Sequence, residues 1–236
     1  MSKLTVILDE NKCFKEFSDG TTAIQDDYSE ALAWLAKAIN LHEDMGPQEI
    51  LEAILDLEVD REYWLMYYSS LMVKALGRKG TLGKGMLRAW EMLDVCAELG
   101  KAYVTKKSPR AAKYPYFPIY WNLARAEQLI GKPCKTNYNI AESGALLYKD
   151  NWYHYVAGIA VMMERFAHTY TKIGAADVNK IKVLAEELLE EDIPWEIRNS
   201  LDLLLEPLEQ LKTKPLKQQK EQLLKLAATI PAMGIL

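Results

Sequence analysis

Apolar side chains recur three and four residues apart through most of this chain, the spacing that places them on one face of an α-helix. Residues 26–41 carry Ala31, Leu35, Ala38 and Ile39 on one stripe, and Gly46-Pro47 then punctuates, with Pro47 suited to the first position of the next helix. That helix is predicted over 49–57. Asp60 caps an aromatic one, REYWLMYYSSLMVKAL. Gly77, Gly80, Gly83 and Gly85 interrupt the pattern before it resumes over 86–103, and a loop with Pro109, Pro115 and Pro118 leads to a helix at 119–130 closed by Gly131-Lys132-Pro133. Further helices are predicted at 137–148 and 151–171, the latter stopped by Gly174. The remaining ones fall at 177–191, at 194–211 with a kink at Pro207, and at 216–228 before Pro231.

About ten helices with short connections imply an all-α fold, a bundle or irregular solenoid of antiparallel hairpins. No constant repeat period emerges. Residues 3–8 and 13–17 flank Asp-Glu-Asn-Lys, which reads as a short β-hairpin or an irregular arm. The expected organisation is therefore an arm at 1–20 and a single all-helical domain at 21–236.

The segment NWYHYVAGIAVMMERFAHTYT is apolar on nearly every side, as in a helix at the centre of a fold, and yet carries His154, Glu164, Arg165 and His168. On an ideal helix His154, Val161, Arg165 and His168 fall within roughly 60° of one another, with Glu164 one turn before His168 on the adjoining edge. A Glu and a His at this spacing can form an ion pair, and an Arg can hold a carboxylate or phosphate through its planar fork of donors. Two readings follow: a buried polar network tying this helix to its neighbours, or a ligand pocket lined by these four residues. The structural pairing is expected for Arg165, and direct contact is expected between Glu164 and His168.

Spacing excludes several chemistries. No histidine has Glu three residues before it, as in carboxylate-bridged di-iron bundles, and no His-Glu-x-x-His zinc motif is present. In GRKGTLGKG, Lys84 is followed by Gly85 where a phosphate loop needs Ser or Thr. Asp26, Asp27 and Glu30 read as a helix-start complement rather than a magnesium box. Cys13, Cys96 and Cys134 form no C-x-x-C pair and are expected to be free thiols. Neither a catalytic set, nor a metal site, nor a cofactor is expected.

Charge is segregated. Between Asp26 and Glu62 stand eleven acidic residues against Lys37 and Arg61, whereas between Lys74 and Lys113 ten basic residues face three acidic ones. Such fields orient charged partners. The segment AAKYPYFPIYW sets Tyr114, Tyr116, Phe117 and Trp121 beside basic residues; aromatic side chains of this kind are enriched at protein interfaces and also pack loops onto helices. A pI near 5.6 speaks against a dedicated nucleic-acid binder. The longest apolar stretch ends at Met163, well short of the roughly 20 residues that span a bilayer, and the start of the chain lacks a secretory cleavage pattern, so a cytoplasmic location is expected.

These features point to a non-enzymatic helical interaction module of the immunity or inhibitor kind. It would neutralise a partner protein such as a basic toxin, binding through Glu49, Glu52 and Asp56 with Tyr114, Tyr116, Phe117 and Trp121. The alternative is a helical-bundle enzyme or small-ligand binder with its pocket along 151–171, and a weaker one is nucleic-acid binding through 74–113. Oligomeric state leaves no mark on the sequence.

Overall fold

A computed structural model describes residues 32–33, 35–79, 115–147 and 151–230, and among these the chain is all-α. The expected arm at 1–20 and helix at 86–103 lie outside the described residues. The chain divides into two compact units, Met1–Lys132 with Gly234–Leu236, and Pro133–Met233.

In the first unit a helical segment ending at residue 38 buries Leu32, Leu35 and Ala36 and closes at Asn40, whose φ of 63° reverses the chain. Helix α1, Pro47–Leu55, starts at Pro47 because a first-turn proline forfeits no internal hydrogen bond. Its N-terminal amides are relieved by Glu49, whose Oε2 accepts from Gly46 N at 2.8 Å. Ile50, Leu51 and Ile54 turn inward; Glu49, Glu52 and Asp56 stay exposed.

Helix α2, Arg61–Lys79, follows Asp60, a residue with φ 59°, in the left-handed region that Asp tolerates better than most. Every residue from Tyr63 to Leu71 is buried, so this helix is enclosed on all sides over that stretch. Its partner is α3, Phe117–Leu129. Three of the polar side chains packed with these rings are hydrogen-bonded: Ser70 Oγ donates to the Tyr67 carbonyl at 2.7 Å, Asn122 Nδ2 reaches Ser70 Oγ at 3.5 Å, and the Tyr63 hydroxyl donates to the Pro115 carbonyl at 3.1 Å. Burial raises the Tyr67 and Tyr68 phenols above the ordinary tyrosine range. Helix α3 ends where Gly131, at φ 75°, takes a conformation that costs glycine little.

The second unit contains α4 (Lys135–Ala145), α5 (Trp152–Thr169), α6 (Ala175–Leu189), α7 (Trp195–Leu211) and α8 (Leu216–Thr229). Helix α5 is its centre, packed against α4, α6 and α8, and every residue from Tyr155 to Ala167 is buried. Helices α4 and α5 approach closely because small residues face each other: a Cβ on Gly158 would lie 3.2 Å from the Ala145 Cβ and 2.7 Å from Leu146 Cδ2. Around this pair, α6 buries Val178, Ile181, Ala185 and Leu188, and α7 buries Ile197, Leu201, Leu204, Leu208 and Leu211. Alternating steps of three and four make each set a continuous apolar seam.

The boundaries differ from expectation at one instructive place. Helix α5 ends at Thr169, because Tyr170 adopts an extended ψ of 136°. Gly174 is not its stop; it is the residue that caps α6, with Asp177 Oδ2 accepting from its N–H at 2.8 Å. At the other end of α6, Arg198 donates to the Leu189 and Glu191 carbonyls, each at 2.9 Å, satisfying acceptors of the terminal turn. Helix α7 continues through Pro207; the carbonyl four residues earlier belongs to Leu203, an exposed residue, where water can take the missing bond. Among the described residues no helix is long and apolar enough to cross a membrane.

Candidate functional site

The polar face of α5 draws its partners from α4. On α4, Tyr138 and Glu142 stand four residues apart and so share a face. The Tyr138 hydroxyl donates to Glu164 Oε2 at 3.2 Å, while its ring stacks on His168 with centroids 6.1 Å apart and planes 18° from parallel. Tyr138 thus meets both halves of the Glu164/His168 pair that the sequence singled out. One turn along α4, Glu142 Oε2 accepts from Arg165 Nε at 2.7 Å. The other Glu142 oxygen accepts from Lys180 Nζ of α6 at 3.2 Å.

Arg165 is held further by the Tyr170 hydroxyl, which accepts from Nη1 at 3.0 Å, and its guanidinium carbon lies 4.8 Å from the Phe166 ring centroid. Burial works to lower the Arg165 pKa, since a charged guanidinium is costly away from water. The hydrogen bond and negative charge of Glu142, helped by Tyr170, outweigh it and shift the group upward. The guanidinium and carboxylate are both buried, at 6 % and 8 % relative exposure, while the Lys180 side chain is half-exposed. Such an arrangement joins three helices. It leaves Arg165 and Glu142 committed to each other rather than turned toward a ligand.

His154 does not belong to this cluster. It shares the helical face, but ten residues at 1.5 Å each put it about 15 Å from Glu164 along the axis. It sits instead in the first turn of α5, where its backbone N–H donates to the Asn151 side chain at 3.3 Å. Partial burial lowers its imidazole pKa from 6.5.

The expected partner residues divide. Glu49, Glu52 and Asp56 lie on the exposed side of α1. Asp56 is the C-terminal cap, and the last turn of α1 carries no basic residue, so a negative charge stands at the negative end of the helix dipole. Tyr116, Phe117 and Trp121 are buried, because α3 begins at Phe117 and turns those rings inward; Tyr114 lies outside the described residues. Of the basic segment, residues 74–79 continue α2 and the rest lies outside the described residues. Cys134 is buried and not part of a disulfide; Cys13 and Cys96 are outside the described residues.

Sequence reasoning did not find Tyr138, Glu142, Tyr170 or Lys180. Only the i, i+4 spacing of Tyr138 and Glu142 offered a signal. It also did not find a shallow pocket of about 110 Å³ lined by Tyr155, Glu187, Leu188 and Glu191, in which the Tyr155 hydroxyl donates to Glu187 Oε2 at 3.3 Å. Burial raises the Tyr155 phenol, and the Glu187 charge adds to that shift. Among the described residues no group of three His, Cys, Asp or Glu side chains is placed to hold a metal ion. Comparison with protein-family models, with curated proteins and with solved structures finds no match.

Proposed function

We propose that this chain is a non-catalytic helical interaction module, of the immunity or inhibitor kind, that binds a basic protein through the acidic side of α1. The observation that carries the reading is Asp56. A carboxylate at a helix C-terminus opposes the helix dipole, the last turn of α1 carries no basic residue, and the cation that reaches this end, Arg61 of α2, does so through one long bond of 3.5 Å from Nη1 to the Leu55 carbonyl. Charge kept at a local cost suits a task outside the helix, and Glu52 extends the same exposed acidic side. The internal pairing of Arg165 with Glu142 adds support, because it favours a structural role for the polar residues of α5 over a reactive one.

Glu49 has a second duty, since its carboxylate caps α1. The informative variant is therefore Glu52→Lys with Asp56→Lys, which reverses two exposed charges and leaves the cap intact. With a basic partner selected by display against the full chain, the association rate of wild type is expected to fall as salt rises. The double variant should associate at least tenfold more slowly at low salt while its helical circular dichroism is unchanged. An association rate indifferent to both salt and charge reversal would remove α1 from the binding surface.

A further inference from the structure

The C-terminal end of α6 combines three properties that rarely meet without a partner. The Trp195 side chain is out in solvent, with the residue 72 % exposed, at the first position of α7. The pocket formed by Tyr155, Glu187, Leu188 and Glu191 opens four residues before it in sequence, within about 14 Å even along a fully extended chain. Around both, residues 186–196 carry Glu186, Glu187, Glu190, Glu191, Asp192 and Glu196 and no basic residue.

Monomeric surfaces seldom leave a tryptophan so exposed, whereas tryptophan is the residue type most enriched where proteins bind one another. The pocket's volume, about 110 Å³, is well below the 300 Å³ or more of a typical small-molecule site and suits the end of one side chain. Its chemistry is selective for a cation. It offers two carboxylates, an aromatic ring and the negative end of the α6 dipole. The chain already seats one guanidinium at this helix end, that of Arg198 on the Leu189 and Glu191 carbonyls, and beside it stand the carboxylates of Glu191 and of Glu187, one oxygen of which accepts from the Tyr155 hydroxyl. A planar guanidinium fits better than an ammonium, because it can fork onto a carboxylate and lie flat on Tyr or Trp.

We propose that this end of the second unit is a docking surface for a basic protein segment, with one partner arginine entering the Tyr155–Glu187–Glu191 pocket and a neighbouring residue stacking on Trp195. It rests on the interaction-module reading but uses a different surface from α1.

The test is titration of the full chain with acetyl-triarginine amide, followed by NMR of backbone amides and tryptophan indoles. Acetyl-trilysine and acetyl-tricitrulline amides serve as comparisons. Triarginine is expected to shift the Trp195 indole and amides near 155 and 187–196, severalfold more tightly than trilysine, and tricitrulline to shift none. Glu187→Gln with Glu191→Gln should weaken triarginine binding about tenfold, while Glu52→Lys with Asp56→Lys leaves these shifts unchanged. Shifts scattered over all acidic surfaces, equal affinity for trilysine, or indifference to the Glu187/Glu191 variant would each overturn the proposal. Because α1 is read by its own variant, a failure here leaves the α1 reading standing, and the converse holds.

Discussion

Replacing Arg165 by alanine tests whether the charged face of α5 holds the second unit together. The substitution removes the cation 2.7 Å from Glu142 and leaves that carboxylate, whose side chain is 10 % exposed, inside the helix packing. Breaking a buried pair in this way costs roughly 3–5 kcal/mol, most of it the penalty of the stranded charge. Lys180 moderates the loss, since its ammonium stays 3.2 Å from the other Glu142 oxygen, although on a half-exposed side chain and so in a screened position. The lost hydrogen bond to Tyr170 adds about 1 kcal/mol. A net destabilisation of about 3 kcal/mol is expected. With a urea m-value of about 1.5–2 kcal/mol/M for a unit of this size, the midpoint should fall by about 1.5–2 M, followed by far-ultraviolet circular dichroism. Removing Glu142 as well abolishes the stranded charge, so Arg165→Ala with Glu142→Ala should be less destabilised than the two single changes summed, by more than about 1 kcal/mol. A midpoint that moves less than about 0.3 M, or strict additivity in the double variant, would refute the structural role assigned to the pair.

Gly158→Val should destabilise the second unit by about 2–3 kcal/mol, because even a Cβ lies 2.7 Å from Leu146 Cδ2; an unchanged melting temperature would contradict the close α4–α5 packing. Asp177→Ala should cost about 0.5–1 kcal/mol and speed hydrogen exchange at the Gly174 amide, and equal exchange in both proteins would show that the cap does not form. The Glu209 carboxylate, hydrogen-bonded by Lys182 and Lys212, is held down to about 2 from an ordinary 4.5. Its stabilising contribution is thus complete above about pH 4.5 and fades as pH falls toward 2; a side-chain NMR titration with a midpoint near 4.5 would reject those contacts.

Sequence legibility followed the range over which each signal acts. Pro47, Gly131 and the seams of α6 and α7 were readable because a proline, a glycine and a three-four spacing act within a turn or two. Gly174 misled because glycine ends helices and also starts them, and only the Asp177 carboxylate three residues on marks it as a start. In the sequence Pro118 reads as a breaker, which leaves Tyr116 and Phe117 in a loop and puts only Trp121 in the helix predicted at 119–130. At the second position of α3 a proline costs no hydrogen bond, so the helix begins earlier and carries them inward. Arg165 was recognised as needing an acid, but its acid lies 23 residues away on another helix, and nothing in one chain's spacing reports which helix that is.

The small residues and the ion pair at the α4–α5 contact do different work. Ala145 meets Gly158, Glu142 meets Arg165, and the Tyr138 ring stacks on His168, so the contacts run in opposite directions along the two helices and define an antiparallel hairpin. Small facing residues allow the backbones to approach, yet a smooth surface resists sliding only weakly, since slipping by a turn exchanges one small side chain for another. A charged pair does not tolerate that slip, because moving α5 by one turn, 5.4 Å, would part Arg165 from Glu142, leaving the guanidinium buried without its counter-charge and the carboxylate with only the half-exposed Lys180. The same shift would carry Glu164 away from the Tyr138 hydroxyl. Close approach at one end and polar matching at the other therefore select a single register for α5, and through Lys180 the same carboxylate ties α6 to it. A unit whose outer helices present Trp195 and its acidic surroundings to a partner gains from such an interior, since a surface held in one register loses less freedom on binding.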